Sequence, residues 1–187
     1  MSFVTFVLGG ARSGKSRYAE ELATKRRGGK TYIATAEAID TEMQARIAEH
    51  RQRRGEGWET SEAPLDLVAA LAACKTSFAL IDCITVWIGN LMHHGRDVRS
   101  EVARLCETLS ATKTRVVIVS NEVGFGIVPD NALARAFRDE QGFANQRLAE
   151  VADEVVFVAA GLPIVLKKPR RRPGPKAEAK SLRGRKA

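Results

Sequence analysis

Short apolar runs alternate along the chain with segments whose apolar positions recur every three or four residues, a pattern that predicts strands and helices in turn. The first run, Phe3-Val4-Thr5-Phe6-Val7-Leu8, is followed by Tyr18, Ala19, Leu22 and Ala23 at helical spacing. Residues 31–34 predict a second strand, and Thr41-Glu42-Met43-Gln44 has the spacing of a capping box that opens a helix running to about residue 54. Residues 58–62 read as an extended segment. Pro64 is placed in the first turn of a helix whose buried stripe is Leu65, Val68 and Leu71. Two continuous runs, Phe78-Ala79-Leu80-Ile81 and Val116-Val117-Ile118-Val119, predict strands buried on both faces, with helices over 85–93 and 97–110 between them. A glycine-bearing loop at 123–129 leads through Asp130-Asn131 into a long helix ending near residue 152. Strands over 155–159 and 164–166 are then expected around a Gly161-Leu162-Pro163 turn. This alternation predicts an α/β fold, a mostly parallel sheet with helices on both faces and ligands at the carboxyl ends of its strands.

Between the first strand and its helix stand Gly9, Gly10, Ala11, Arg12, Ser13, Gly14, Lys15 and Ser16, which fit the phosphate-loop pattern G-x-x-x-x-G-K-[ST]. Main-chain N–H groups can turn inward around a phosphate chain only where glycine relaxes the backbone, and the following helix N-terminus adds partial positive charge. The pattern assigns Lys15 to the β/γ-phosphates and the Ser16 hydroxyl to Mg²⁺. Asp82 ends an apolar strand, where a phosphate-loop enzyme places its Mg²⁺-directing acid; the alternative is a polar strand terminus. Glu122 follows another apolar strand on the same rim and is a candidate general base for an attacking hydroxyl, or else a structural acid.

Charge changes this picture little. The chain of 187 residues carries a net +8, but ten Lys/Arg against the single acid Glu178 put +9 in residues 167–187, leaving −1 for the rest. Residues 1–167 are therefore expected to form one phosphate-loop domain, and the basic, Pro- and Gly-rich residues 168–187 a disordered tail that cannot bury enough apolar surface to fold. Cys74, Cys83 and Cys106 are odd in number and widely spaced, so they read as packing residues of a cytoplasmic protein. No export signal is expected, and Asp82 interrupts the one long apolar stretch, so no membrane span is expected either.

The predicted helix over 41–54 holds a second constellation. Met43, Ile47 and His50 share one stripe, Arg46 and Arg54 lie a turn to either side of the histidine, and Arg51 and Arg53 are adjacent. Guanidinium groups so crowded repel unless an anion such as a triphosphate joins them, and a neutral imidazole beside bound phosphate is a competent nucleophile. A core histidine and a solvated arginine face are the alternatives.

These motifs carry a resemblance. GGARSGKS (9–16), YIATA (32–36), DTEMQARIAEHR (40–51), WETSE (58–62), IDCIT (81–85), NEVGFGIVP (121–129) with DNALARAFRD after it, NQR (145–147) and ADEV (152–155) stand in the same order as in one enzyme family. The chain resembles the bifunctional adenosylcobinamide kinase / adenosylcobinamide-phosphate guanylyltransferase family of cobalamin biosynthesis. The resemblance implies a RecA-like P-loop NTPase fold and two reactions: phosphorylation of a corrinoid hydroxyl from ATP or GTP, then transfer of GMP from GTP to that phosphate. It implies that His50 is the guanylylated residue. It implies nucleotide contacts from Ile33, Ala34, Thr35, Arg51, Gln52, Arg53, Arg54, Glu62, Asp82 and Ile84, with Glu62 suited to read the N1–H and 2-amino group of guanine. A homo-oligomer is expected. Two other readings stay open: a simple phosphate-loop kinase in which His50 is structural, and a nucleic-acid-dependent ATPase using the basic tail. The slightly acidic body makes nucleic acid the weaker expectation.

Overall fold

The computed structural model describes residues 3–26, 28–37 and 57–169. Seven strands form one sheet in the order β3-β2-β4-β5-β1-β6-β7, comprising β1 (Val4–Gly9), β2 (Lys30–Ala34), β3 (Trp58–Glu62), β4 (Phe78–Asp82), β5 (Arg115–Asn121), β6 (Glu154–Ala159) and β7 (Leu162–Lys167). Every neighbouring pair is parallel except β6 with β7. The described helices are α1 (Lys15–Thr24), α2 (Leu67–Ala73), α3 (Ile84–His93), α4 (Val98–Ala111) and α5 (Ala132–Val151).

Strand periodicity divides the core in two, because successive side chains leave opposite faces of the sheet. Phe6, Leu8, Ile33, Ala79, Ile81, Val116, Ile118 and Val155 pack with Leu67, Leu71, Trp87, Leu91, Leu105 and Leu148 of α2 to α5. Val7, Tyr32, Phe78, Leu80, Val117, Val119, Val156 and Val158 pack on the other side with Ala19 and Ala23 of α1. The continuous apolar runs in the sequence are thus the price of a sheet covered on both faces.

Local chemistry sets the ends of the elements. Asp97 accepts from the Ser100 N–H at 2.6 Å, and Asn131 from Ala134 at 2.8 Å, so α4 and α5 open on side-chain caps. The Lys167 ammonium donates to the carbonyls of Ala149, Glu150 and Ala152 at 2.9, 2.9 and 2.5 Å, closing the carboxyl end of α5.

Two expected boundaries are corrected. Pro64 does not lie in a helical turn: its carbonyl accepts from Asn90 Nδ2 at 3.1 Å and that of Leu65 from Trp87 Nε1 at 2.9 Å, and the helix begins only at Leu67. Leu162 and Pro163 lie inside β7, and the turn is Ala160-Gly161, both at positive φ (52° and 79°). That two-residue turn matches the twist of a hairpin, and Pro163 is tolerated because β7 is an edge strand. The expected helix over 41–54 and the basic tail beyond 169 lie outside the described residues.

Candidate functional site

The carboxyl ends of the parallel strands form one rim. The backbone of the glycine loop leaves β1 at Gly9, turns through Arg12 (φ 57°) and Gly14 (φ 95°), and enters α1 at Lys15. The left-handed conformation at Gly14 requires glycine, and the close approach at Gly9 does so for a different reason: a Cβ there would stand 2.5 Å from the Val158 carbonyl oxygen. The β6–β7 turn braces the loop from outside, the Gly161 N–H donating to Ser13 O at 2.8 Å. Nothing in the sequence pattern announced this support.

Inside the loop the Lys15 ammonium donates to Gly10 O at 3.0 Å and is buried. Burial, the largest influence, lowers its pKa, opposed by the negative charges of Cys83 and Asp82. Asp82 is the partner that counts near neutrality, because burial pushes the Cys83 thiol up to about 11 and keeps it protonated. Ser13 Oγ is buried with no hydrogen-bond partner among the described residues. A loop with a turned-in cation, an open hydroxyl and a helix N-terminus is arranged to receive phosphate oxygens.

Ser16 lies in the first turn of α1, and Asp82 ends β4, paired in register with Ala34 of β2 and Val119 of β5. Hydroxyl and carboxylate oxygens are hard ligands that suit Mg²⁺, which takes one or two protein oxygens and completes its shell with phosphate and water. Among the described residues no group of three or more His, Cys, Asp or Glu forms a metal cage. The donor set fits a nucleotide-borne Mg²⁺.

Asn121 closes β5 opposite Gly9, and the Glu122 N–H donates to Gly9 O at 3.1 Å, so Glu122 leaves the sheet immediately beside the start of the glycine loop. Its Oε1 accepts from the Gly124 N–H at 2.8 Å. Behind this strand end lies a polar network that sequence reading missed. Ser120 Oγ donates to Asn145 Oδ1 at 2.8 Å, Gln141 Nε2 to Ser120 Oγ and Asn145 Oδ1 at 2.9 Å each, Asn145 Nδ2 to Asn121 O at 3.1 Å, and Asn121 N–H to Thr85 Oγ1 at 2.7 Å. These buried bonds tie α3 and α5 to the tip of β5.

The other expected nucleotide contacts divide. Glu62 is exposed at the end of β3, level with Ala34 and Asp82 in the ladder. Thr35 is buried, its hydroxyl donating to Cys83 O and accepting from Cys83 N–H at 2.8 Å, a clamp between the ends of β2 and β4. Ile33 and Ile84 are wholly buried in the core, whereas Ala34 beside Ile33 is partly exposed. His50, Arg51, Gln52, Arg53 and Arg54 lie outside the described residues.

Comparison with known proteins gives this rim its context. The RadB recombinase structure aligns with 83% of this chain and 73% of its own at 14% identity and a TM-score of 0.50, a likeness of fold. The bifunctional adenosylcobalamin biosynthesis protein CobP of Pseudomonas aeruginosa is 46% identical over 165 residues, which is 86% of this chain and 95% of that protein. The protein CobU of Escherichia coli, of the same description, is 39% identical over 178 residues, 86% of this chain and 98% of that protein. Residues 5–166 match the family model described as cobinamide kinase / cobinamide phosphate guanyltransferase, a span containing the phosphate loop, Asp82 and Glu122. With both its phosphate loop and nearly its whole length accounted for in this way, the chain belongs to the cobinamide kinase / cobinamide phosphate guanyltransferase family.

Proposed function

We propose that the protein phosphorylates a cobinamide hydroxyl from ATP or GTP and then transfers GMP from GTP onto that phosphate, releasing pyrophosphate. The observation that carries this reading is the glycine loop with its inward Lys15, on one strand rim with Glu122 beside it and Asp82 one strand further along, in a chain of this family. In the first reaction the loop amides and Lys15 hold the triphosphate in line. Glu122 accepts the proton of the attacking hydroxyl as its oxygen bonds the γ-phosphorus and the bond to the bridging oxygen breaks. Ser16 and Asp82 would hold Mg²⁺, which supplies charge neutralisation at the phosphate oxygens.

In the second reaction an imidazole nitrogen of His50 attacks the α-phosphorus of GTP and pyrophosphate leaves. The substrate's phosphate oxygen then attacks the same phosphorus, breaking the N–P bond and freeing the histidine. Arg51, Arg53 and Arg54 would offset the charge of the departing pyrophosphate, Gln52 would contact the nucleotide as a neutral hydrogen-bonding group, and Glu62 would select guanine by accepting from N1–H and the 2-amino group. Of Ile33, Ala34, Thr35 and Ile84, Ala34 would contact the nucleotide, and the other three, fully buried, would support the strand ends around it. The domain responsible is 1–167, with 168–187 a dispensable tail, and the enzyme works in the cytoplasm as a homo-oligomer.

The test is incubation with GTP radiolabelled at the α-phosphate. The protein should acquire a label that is acid-labile and base-stable, as a phosphoramidate is, and His50→Ala should lose it while keeping cobinamide phosphorylation. A label that survives in that variant, or maps to Lys15, refutes the histidine assignment.

A further inference from the structure

The loop between β5 and α5 exposes apolar side chains where a functional rim is ordinarily polar. Phe125, Ile127 and Val128 are 84, 98 and 62% exposed, and Leu133 in the first turn of α5 is 72% exposed. These side chains have not simply been left loose by a slack backbone. Glu122 Oε1 fixes Gly124 N–H at one end, and at the other Arg135 Nη1 donates to the carbonyls of Pro129 and Asp130 at 2.9 and 2.8 Å, next to the Asn131 cap. The Phe125 ring leans on Phe157 with centroids 6.2 Å apart, and Phe157 pairs in register with Leu8, the residue before the glycine loop. The patch therefore starts three residues after Glu122 and is joined through two rings to β1. Exposed apolar surface of this kind, held in place at the edge of a site, marks a contact with something apolar.

We propose that Phe125, Ile127, Val128 and Leu133 form the platform on which the corrin macrocycle of the acceptor substrate rests while its hydroxyl arm reaches Glu122. The inference builds on the functional reading above and identifies which residues receive the larger half of the substrate. A corrin is a broad ring edged with methyl groups, and an acceptor of that size cannot be held by the phosphate loop. Glu122 and Asp130, the only charged residues of the 122–131 loop, are both acidic, so it offers a polyanion nothing. A further exposed apolar strip, Ile164, Val165 and Leu166 on the edge strand β7, has no such tie to Glu122 and serves as the comparison surface.

Phe125→Ser and Ile127→Ser, singly and together, should be assayed in the full chain with cobinamide and nucleotide varied in turn. The double variant should raise the KM for cobinamide by about tenfold or more and hold the KM for ATP within about twofold, since only acceptor contacts are removed. Its thermal midpoint and sedimentation coefficient should match the parent, and Leu166→Ser should leave the cobinamide KM unchanged. Equilibrium dialysis of cobinamide, read by its corrin absorbance, should show the same loss without turnover. An unchanged cobinamide affinity in the double variant overturns the platform, as does a fall in sedimentation coefficient with affinity retained, which would assign the loop to contact between copies of the chain. A parent protein that binds nucleotide but neither binds nor phosphorylates cobinamide overturns the functional reading itself.

Discussion

Replacing Gly9 by alanine isolates the support of the phosphate loop from its chemistry. The added Cβ would stand 2.5 Å from the Val158 carbonyl oxygen and 2.5 Å from Ser13 Oγ, about 1 Å inside ordinary van der Waals contact. The serine hydroxyl can rotate away, but the carbonyl belongs to β6, which is paired with both β1 and β7 and cannot retreat alone. The loop must therefore move, at an overpacking cost of about 1–3 kcal/mol. A displacement near 1 Å at a phosphate-positioning loop is worth on the order of a hundredfold in turnover. Gly10→Ala is the control, because a Cβ at that position meets nothing within 4 Å. Urea unfolding should place Gly9→Ala well below both the parent and Gly10→Ala in stability, and initial-rate kinase assays should show the turnover loss in Gly9→Ala. Equal stability of the two alanine variants would refute the argument that β6 sets the position of the loop.

Two further substitutions probe the interior of the site. Asn145→Leu removes the acceptor of Ser120 and Gln141 and the donor to Asn121 O, so it should cost about 2–4 kcal/mol in urea unfolding. Gln141→Leu leaves Ser120, Asn145 and Asn121 still bonded to one another and should cost under about 1 kcal/mol; equal losses would sink this account of the network. For Lys15, burial lowers the folded pKa below 10.5, so the unfolded chain holds more protons in the window just below that value and parent stability rises with pH there. Lys15→Met should lack that rise when the two proteins are unfolded side by side from neutral pH towards 10.5, and parallel curves would contradict it.

What the sequence disclosed and what it hid follow from how local each feature is. The glycine loop was legible because Gly14, Lys15 and the preceding apolar strand are consecutive, and the positions of Asp82 and Glu122 because each ends a run of buried residues. The turn expected at 161–163 lies at Ala160-Gly161 because alanine at φ 52° gives no compositional signal, while Pro163 suggests a turn that the edge position of β7 makes unnecessary. The late start of α2 depends on Asn90 and Trp87, side chains more than twenty residues away that hold the carbonyls of Pro64 and Leu65. The Thr85, Ser120, Gln141 and Asn145 network could not be read at all, since its members come from three elements and each looks like an ordinary polar residue among apolar ones.

The register of the sheet bears on how one rim would serve two reactions. Glu62, Ala34 and Asp82 lie level across β3, β2 and β4, so Glu62 stands two strand spacings, roughly 10 Å, from Asp82. Gly9 lies beyond β5 on the other side of Asp82, paired with Asn121. On the proposed reading, phosphoryl transfer uses the β5–β1 half, where Glu122 and the loop meet, and guanine selection uses the β3 edge. Asp82 sits between them in the strand order, with its charge already felt by Lys15. A single acid in that position would hold the same Mg²⁺ in both reactions without moving, and the ion would supply the neutralisation of the phosphate charge. The acceptor's hydroxyl arm, carrying first a proton and then a phosphate, is then the part that must change place along the rim.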